Sequence, residues 1–266
     1  MSVTKQQLLD FYVGCLNSDE GKAAKQYLAS RKIDDETIKN FKLGYCPSDW
    51  GGHNIWKRRV IFPLIDPYGN VVAFSGRLLT YATKDTNGSN VLAEIGTNRV
   101  VRRTLPDGSK EDFAMMQFHD SFPKNYYLYG VEQAKSHIMK MGYVNVVEGQ
   151  ADVLSMHSAG LKNTVGTCGS AITPFHLITL CRYCDSVVFL FDADDGGRKA
   201  LNLAQKRVMI NYSFLGLPEG YDPNAFIMQY GAQSIADSIK DALEKKNIPF
   251  EDNLVEKEKL WVMTNI

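Results

Sequence analysis

The sequence lacks any long hydrophobic run. No stretch of its 266 residues approaches the roughly 18 consecutive apolar residues of a membrane-spanning helix, so it predicts none. The N-terminus, MSVTKQQLLDFYVG, has no basic segment followed by an apolar stretch and a small-residue cleavage site. This argues against a secretory signal, and we expect a cytoplasmic protein without a membrane partner.

Cysteine is scarce and odd in number. Five cysteines in a chain without a secretory signal argue against a disulfide framework. Cys181 and Cys184 have the spacing of zinc ligands, but no second pair accompanies them. Both lie in the apolar pattern of a helix predicted from Phe175 to Cys184. We therefore interpret them as core residues and expect no zinc in this chain.

Net charge is absent as well, because 30 basic residues balance 30 acidic ones. The charges are unevenly spread: residues 1–140 hold 19 Lys and Arg against 15 Asp and Glu, whereas residues 141–266 hold 11 against 15. This uneven distribution of charge fits a basic nucleic-acid surface beside an acidic metal site.

The remaining composition, 44% apolar and 23% charged, is typical of a globular protein of one large or two modest domains.

Short apolar runs alternate with helix-like segments between Gly142 and Gly231. The runs are Val144 to Val147, Thr164 to Val165 and Val187 to Phe191. This alternation predicts βαβ units, a parallel sheet and an α/β fold.

Acidic residues follow two of these predicted strands. Glu148 comes after the first, and Asp192 and Asp194 come after the third. Ligands of open α/β sheets bind at the carboxyl ends of the strands, so the fold should gather these carboxylates. Asp222, after a further strand-like run, could complete the set. Clustered carboxylate oxygens suit Mg²⁺ or Mn²⁺.

Four pieces of this region match a known family. They read VVEGQADV from Val146, GTCGSAIT from Gly166, FDADDGGRKA from Phe191 and LPEGYDP from Leu217. They resemble the Toprim domain and, more narrowly, the catalytic core of bacterial and phage primases of the DnaG type. The last piece is more primase-like than topoisomerase-like.

The N-terminal part reads as helices followed by a hairpin. Helices are predicted over residues 3–17, over Gly21 to Arg31, and from a cap at Asp34 or Asp35 to about Phe41. This segment resembles the opening of the primase polymerase core. The resemblance implies that Arg31 contacts nucleic acid or the incoming nucleotide.

A strand from Arg59 to Asp66, a turn and a returning strand from Val71 to Leu78 form the predicted hairpin. Its end matches the family element Phe-x-Gly-Arg, so the resemblance gives Arg77 a nucleotide- or template-binding role. We expect Gly76 to let a phosphate approach the backbone.

Residues 80–121 match the family least. Residues 81–88 read as a polar loop, and residues 99–115 as a second hairpin around an Asp-Gly turn. Lys84 is a candidate replacement for a family lysine, and Arg102 and Arg103 are candidates for phosphate contacts. Lys124 falls in a segment that again resembles the family and is a further candidate for binding nucleic acid.

The resemblance implies DNA-templated synthesis of short RNA primers from nucleoside triphosphates on single-stranded DNA. Glu148, Asp192 and Asp194 are the implied catalytic residues, and with Asp222 they are the candidate Mg²⁺ or Mn²⁺ ligands. Glu148 either binds metal or helps to deprotonate the attacking hydroxyl. Asp152, one helical turn beyond Glu148, is expected to face the same side and orient the site. Asn224 stands where the family usually has an acidic residue, which removes one possible ligand.

We expect three regions: an α+β primase-core subdomain over residues 1–138, a Toprim domain with a Rossmann-like parallel sheet over 139–232, and a short helical segment over 233–266. The zinc-binding and helicase-binding domains usual in the family are expected to be absent. The chain would then be an excised core, a reduced phage or mobile-element primase, or an enzyme that borrows a zinc-binding protein. A replicative helicase is a further possible partner.

Two other functions stay open at this stage. A Toprim nuclease would use the same carboxylates to hydrolyse DNA, but it would not need the N-terminal elements. A non-catalytic single-strand-binding accessory protein would not need the carboxylates. A type IA topoisomerase is excluded, because the chain is too short for the domain that carries the reactive tyrosine.

Overall fold

The structure is a computed structural model whose residues form two compact units. It describes residues 3–47, 56–79, 123–169, 172–191, 211–218 and 220–244, and the backbone of short strands within 83–118. The first unit contains residues 1–27, 42–63 and 73–122, and the second contains 28–41, 64–72 and 123–266. Because each unit is assembled from separate stretches, the predicted domain limits stay a prediction.

The N-terminal helices begin where their capping residues predict. Helix α1 (Lys5–Asn17) starts after Thr4, whose Oγ1 accepts from the Gln7 amide at 3.2 Å while Gln7 Oε1 accepts from the Thr4 amide at 2.9 Å. Its apolar stripe, Leu9, Tyr12 and Leu16, is buried. Helix α2 (Lys22–Ser30) follows, and Asp34 caps helix α3 (Asp35–Asn40). All three predicted helices are confirmed.

An antiparallel sheet with the order β1-β2-β3-β9 follows these helices. Its strands are β1 (Gly44–Cys46), β2 (Arg59–Ile65), β3 (Val71–Leu78) and β9 (Met116–Phe118). The predicted hairpin is therefore confirmed. Strand β2 is buried along its whole length, which is why it reads as a continuous apolar run.

The segment between β3 and β9 contains more strand than its sequence predicts. The residues interpreted as a polar loop include β4 (Thr83–Lys84), which pairs with β5 (Asn90–Val91), so the interpretation is wrong for these two residues. The rest of residues 81–88 lies outside the described residues. The second predicted hairpin is confirmed by the antiparallel pair β7 (Val100–Thr104) and β8 (Lys110–Ala114), with β6 (Glu94–Ile95) alongside β7. Its Asp-Gly turn lies outside the described residues.

A parallel sheet with the order β11-β10-β12-β13 forms the second unit's centre, as the alternating pattern predicts. Its strands are β10 (Tyr143–Val147), β11 (Thr164–Gly166), β12 (Ser186–Leu190) and β13 (Asn211–Phe214). The helices around it are α4 (Val131–Met141), α5 (Gln150–Ser158), α6 (Pro174–Leu180), α7 (Pro223–Tyr230) and α8 (Ala232–Glu244). The predicted α/β architecture is confirmed.

The core of this unit lies against one face of the sheet. Alternate strand residues Val144, Val146, Val187 and Phe189 pack with buried residues of α4 and α6. The residues between them, such as Val147 and Leu190, are also fully buried, so both faces of the sheet are covered.

The helix predicted across both zinc-spaced cysteines is shorter than its apolar pattern indicates. It ends at Leu180, and the chain then tightens into turns in which the Arg182 and Tyr183 amides donate to carbonyls three residues earlier. The tighter turn leaves Cys184 buried but exposes Cys181. The core assignment is therefore right for Cys184 and wrong for Cys181. No helix among the described residues is long and apolar enough to cross a membrane.

His157 packs inside the second unit and makes it acid-sensitive. Its Nε2 lies 2.9 Å from the Thr164 carbonyl, which can only accept, so Nε2 carries the proton. The ring meets Phe41 edge-on at 4.7 Å. Burial lowers the pKa of His157 from 6.5 to about 4, although the bond to Thr164 acts in the opposite direction.

We predict that this histidine destabilises the fold between pH 7 and pH 5. Below pH 6.5 the unfolded chain takes up a proton that the folded chain refuses, so the free energy of unfolding falls, by about 2 kcal/mol at pH 5. His157→Gln keeps a donor for Thr164 but does not titrate. Urea unfolding at both pH values should show a correspondingly weaker pH dependence in the variant. An equal pH dependence in both proteins would contradict the assignment.

Candidate active site

The carboxyl ends of the parallel strands define the candidate site. Val147 of β10 stands in register with Gly166 of β11 and with Leu190 of β12. Glu148, the next residue, is half-buried at this edge, as the sequence predicts. Asp192 and Asp194 follow β12 but lie outside the described residues, so their gathering with Glu148 stays a prediction.

Asp152 occupies a different position from the one expected. Helix α5 begins at Gln150 with Gly149 as its N-cap, so Glu148 precedes the helix and the two acids do not share a helical face. The Asp152 carboxylate folds back over Gly149, where an added Cβ would overlap its Oδ2. The glycine at this position is therefore needed for close packing, because its φ of −96° is open to any residue.

The start of α7 faces the Asp152 carboxylate. The Asn224 amide, in the first turn of α7, donates to Asp152 Oδ1 at 3.4 Å. A helix N-terminus favours a nearby negative charge, which stabilises a buried carboxylate here. Asp152 thus links α5 to α7.

Asn224 ties Arg31 into the same network. Its Oδ1 accepts from the Arg31 guanidinium at 3.1 Å, and its Nδ2 donates to the Arg31 carbonyl at 3.0 Å and to Ser155 Oγ at 2.9 Å. The side chain is 1% exposed. Both ends of the amide are engaged, and a carboxylate could not supply the two donated bonds. This gives a structural reason for asparagine at a position where an acid was expected.

Asp222 caps α7. Its Oδ1 accepts from the Ala225 amide at 2.6 Å, and Pro223 occupies the first helical position. Among the described residues, no other donor contacts this carboxylate. A capping role is thus established, and a metal-binding role would have to share the same side chain.

The main chain at Lys124 is fixed by hydrogen bonds from two other side chains. The His176 Nε2 donates to the Lys124 carbonyl at 2.7 Å, and Thr173 Oγ1 donates to the Asn125 carbonyl at 2.7 Å. His176 Nδ1 accepts from the Thr173 amide, so the ring is the neutral tautomer, and burial lowers its pKa. The same segment ends at Tyr129, which exchanges two main-chain bonds with Gly166 of β11.

The positive charge of Lys124 acts on the Cys168 thiol, in the loop after β11. Burial raises the pKa of the Cys168 thiol to about 12, while the positive charge of Lys124 acts against that rise. Lys124 therefore lies near the candidate edge. Thr173, His176 and Ser155 could not be recognised from the sequence as residues that support the site, because their hydrogen-bond partners are 48 to 69 residues away. The only local signal was the cap spacing of Thr173 and His176.

Arg77 lies in the first unit, where its guanidinium carbon is 5.7 Å from the centre of the Tyr27 ring. Gly76 has a packing reason of its own. An added Cβ there would meet Arg59 and Trp56 at 3.0 to 3.1 Å, and the Arg59 guanidinium donates to the Gly76 carbonyl. The glycine makes room for these side chains, and the approach of a phosphate stays a prediction. The side chain of Lys84 lies outside the described residues, as do those of Arg102 and Arg103.

Within the part of the chain that is described, no three His, Cys, Asp or Glu side chains form a metal-binding group. Glu148 is the one member of the predicted catalytic trio that this part contains. The donor chemistry still fits a hard divalent cation, because Glu148 supplies carboxylate oxygen at the strand ends.

Comparisons with known proteins agree with this geometry. The model of the Toprim-like family matches residues 145–227, and that of the N-terminal domain of the DNA primase catalytic core matches residues 11–55. The DNA primase of Aquifex aeolicus is 28% identical over 272 residues, which cover 91% of this chain. The chain is similar to the catalytic core of DnaG-type primases over most of its length. The resemblance inferred from the sequence is thereby confirmed.

Solved structures of primases share the fold. The A. aeolicus primase structure, with its zinc-binding and RNA polymerase domains, matches with a TM-score of 0.68 and 26% identity over 91% of this chain and 62% of that one. A DnaG primase catalytic domain bound to single-stranded DNA matches with a TM-score of 0.67 and 24% identity, over 89% and 79%. The Toprim fold class is confirmed.

The chain spans 49% of the length of the A. aeolicus protein. The comparisons therefore concern the catalytic core of the family. Primases of the Toprim type generally use divalent metal ions.

We predict that Gly149→Ala destabilises this primase core by about 1 kcal/mol or more. The new methyl group displaces the Asp152 carboxylate from the start of α7, and alanine is also a poor N-cap. The matched control is Gly14→Ala inside α1, where the added methyl group meets no atom within 4 Å. That variant should gain up to about 1 kcal/mol from helix propensity. Urea unfolding that shows similar effects for both variants would contradict this packing.

Proposed function

We propose that this chain catalyses template-directed synthesis of short RNA primers on single-stranded DNA, as a DNA-directed RNA polymerase. One observation carries the proposal: the same chain joins a primase-type N-terminal core to a Toprim sheet with Glu148 at its carboxyl edge. The relatives are DNA primases, and a related catalytic domain was solved with single-stranded DNA.

Glu148, Asp192, Asp194 and Asp222 are the proposed Mg²⁺ or Mn²⁺ ligands. A bound divalent ion would neutralise charge on the oxygens of the reacting phosphate. The half-buried position of Glu148 supports its part, because a carboxylate at a partly desolvated edge gains more from a nearby cation than an exposed one. The capping bond of Asp222 uses one carboxylate oxygen, and the second oxygen is the one proposed to bind the metal ion.

Arg31 is the proposed contact to the triphosphate or the template. The side-chain amide of Asn224 forms hydrogen bonds with both the carbonyl and the guanidinium of Arg31. These bonds orient the arginine charge before substrate binds. An amide, unlike a carboxylate, does not neutralise the arginine charge. Asp152 supports this arrangement indirectly, through the Asn224 main chain.

Lys124, Arg77 and Lys84 are proposed to contact nucleic-acid phosphates. Lys124 is exposed on a main chain that Thr173 and His176 fix, and Arg77 is stacked on Tyr27. Such contacts carry no sequence information but make binding salt-dependent. Nucleoside triphosphates, a replicative helicase or a separate zinc-binding protein are the further proposed partners, in a bacterial or phage-infected cytoplasm.

The nuclease and accessory-protein alternatives find no support. A nuclease would not require the N-terminal core that residues 11–55 match. An accessory protein would not require an acid at the end of β10.

Primer synthesis tests the proposal. The purified chain would be mixed with single-stranded DNA, labelled ribonucleotides and Mg²⁺ or Mn²⁺, alongside Asp192→Ala. We expect short template-dependent RNA that the variant does not make. Extension of a pre-annealed primer alone would indicate a missing initiation partner. Shortened DNA without any RNA product would overturn the proposal in favour of a nuclease.

A pair of substitutions separates the two roles of Asp222. Asp222→Asn retains the capping acceptor but loses the charge, whereas Asp222→Ala loses both. We predict an unfolding free energy near wild type for the first and about 1 kcal/mol lower for the second. RNA synthesis should fall about 10- to 100-fold in both if Asp222 holds metal. Full activity in Asp222→Asn would show that the residue is a cap alone.

A further inference from the structure

A small pocket lies within the second unit, outside the carboxyl edge of its sheet. Its volume is about 140 Å³. Four tyrosines line it, namely Tyr68, Tyr126, Tyr127 and Tyr183, together with Arg182 on the turn after α6. Neither the carboxylates nor Arg31 line this pocket, so the proposed chemistry does not account for it.

The wall formed by Tyr68 is held rigidly. Asp66 Oδ1 accepts from the amides of Tyr68 and Asn70, each at 2.9 Å, and these bonds fix the hairpin turn. The Lys135 ammonium donates to the Pro67 carbonyl at 2.7 Å and holds the turn to α4. The Tyr68 residue is nevertheless 82% exposed. An ordered turn thus presents a large aromatic ring to solvent.

Tyr126, another lining residue, belongs to a second exposed aromatic surface. Tyr126 is 56% exposed and Phe175 is 52% exposed, and their ring centres are 4.7 Å apart. The main chain beside Tyr126 is fixed by the bonds of Thr173 and His176 described above. Rings on rigid main chain lose little conformational entropy when a planar group stacks on them.

Two exposed cations lie at or beside the pocket. Arg182 is exposed, and no carboxylate among the described residues lies within ion-pair distance of it. Lys124 is exposed two residues before Tyr126. Flat aromatic rings beside unpaired cations are what a single-stranded nucleic acid requires, because its bases stack and its phosphates are anionic.

We propose that this pocket binds a base of single-stranded nucleic acid, with Tyr68 and Tyr126 as stacking rings and Arg182 as a phosphate contact. The inference rests on the proposed function, which makes a template strand the expected occupant, and extends the path of that strand beyond the catalytic edge. A protein segment is a less suitable occupant. Arg182 and Lys124 have no described acidic partner whose place such a segment would take.

Equilibrium binding of a labelled oligothymidine to the full chain tests the pocket. Tyr68→Ala and Tyr126→Ala should each weaken binding at least about fivefold, with the salt dependence unchanged, because stacking is not ionic. Arg182→Ala should weaken binding and also reduce the salt slope, by about 0.7 for one lost phosphate contact. Tyr68→Phe, which keeps the ring, and Met139→Ala, an exposed residue on α4 outside the pocket, should bind like wild type.

Photo-crosslinking locates the strand independently. Bromouracil-substituted DNA should crosslink to Tyr68 or Tyr126, and the crosslink should be lost in the matching alanine variant. Wild-type affinity in both alanine variants, with crosslinks only elsewhere, would overturn the pocket assignment. That result, found with primer synthesis intact, would leave the proposed function standing. Weakened binding in the variants, with no RNA made by wild type, would instead remove the function and keep the pocket.

Discussion

The parallel hydrogen bonding of β10 on both of its sides is the constraint on which the site depends. Its register with β11 and β12 brings three strand ends to one edge, and the residue that follows β10 is Glu148. Burial of both faces of this sheet fixes the register, because a shift by one residue would turn Val144 and Val146 away from their core. The position of the acid therefore follows from packing at the centre of the sheet.

A single buried amide then joins segments that are distant in sequence. Asn224, on α7, contacts Arg31 after α2 and both Ser155 and Asp152 on α5, so it joins three separate segments of the second unit. The Asn224 side chain is 1% exposed, so the loss of a partner would leave its amide short of a hydrogen bond, which costs more than the bond itself contributes. The network orients the Arg31 guanidinium through a neutral amide, and it gives a structural role to a position where the family usually has an acid.

Local patterns predicted most of the fold. The strand that becomes β10, the hairpin of β2 and β3, and the caps Thr4 and Asp34 all rest on short-range rules that tertiary contacts reinforce. The same rules missed Gly76, whose packing neighbours Arg59 and Trp56 are remote in sequence. They also misplaced two helix ends, because α5 does not reach back to Glu148 and the tighter turn after Leu180 exposes Cys181. Asn224 could be recognised as unusual from the sequence, but its three partners could not be identified.

The divalent-cation site proposed at the edge beside Glu148 can be tested by replacing Mg²⁺ with Fe²⁺ and mapping where locally generated hydroxyl radicals cleave the chain. We expect cleavage close to Glu148 and to residues 192–194, suppressed by excess Mg²⁺ and lost in Glu148→Gln. Cleavage confined to other segments, or unchanged in Glu148→Gln, would contradict it.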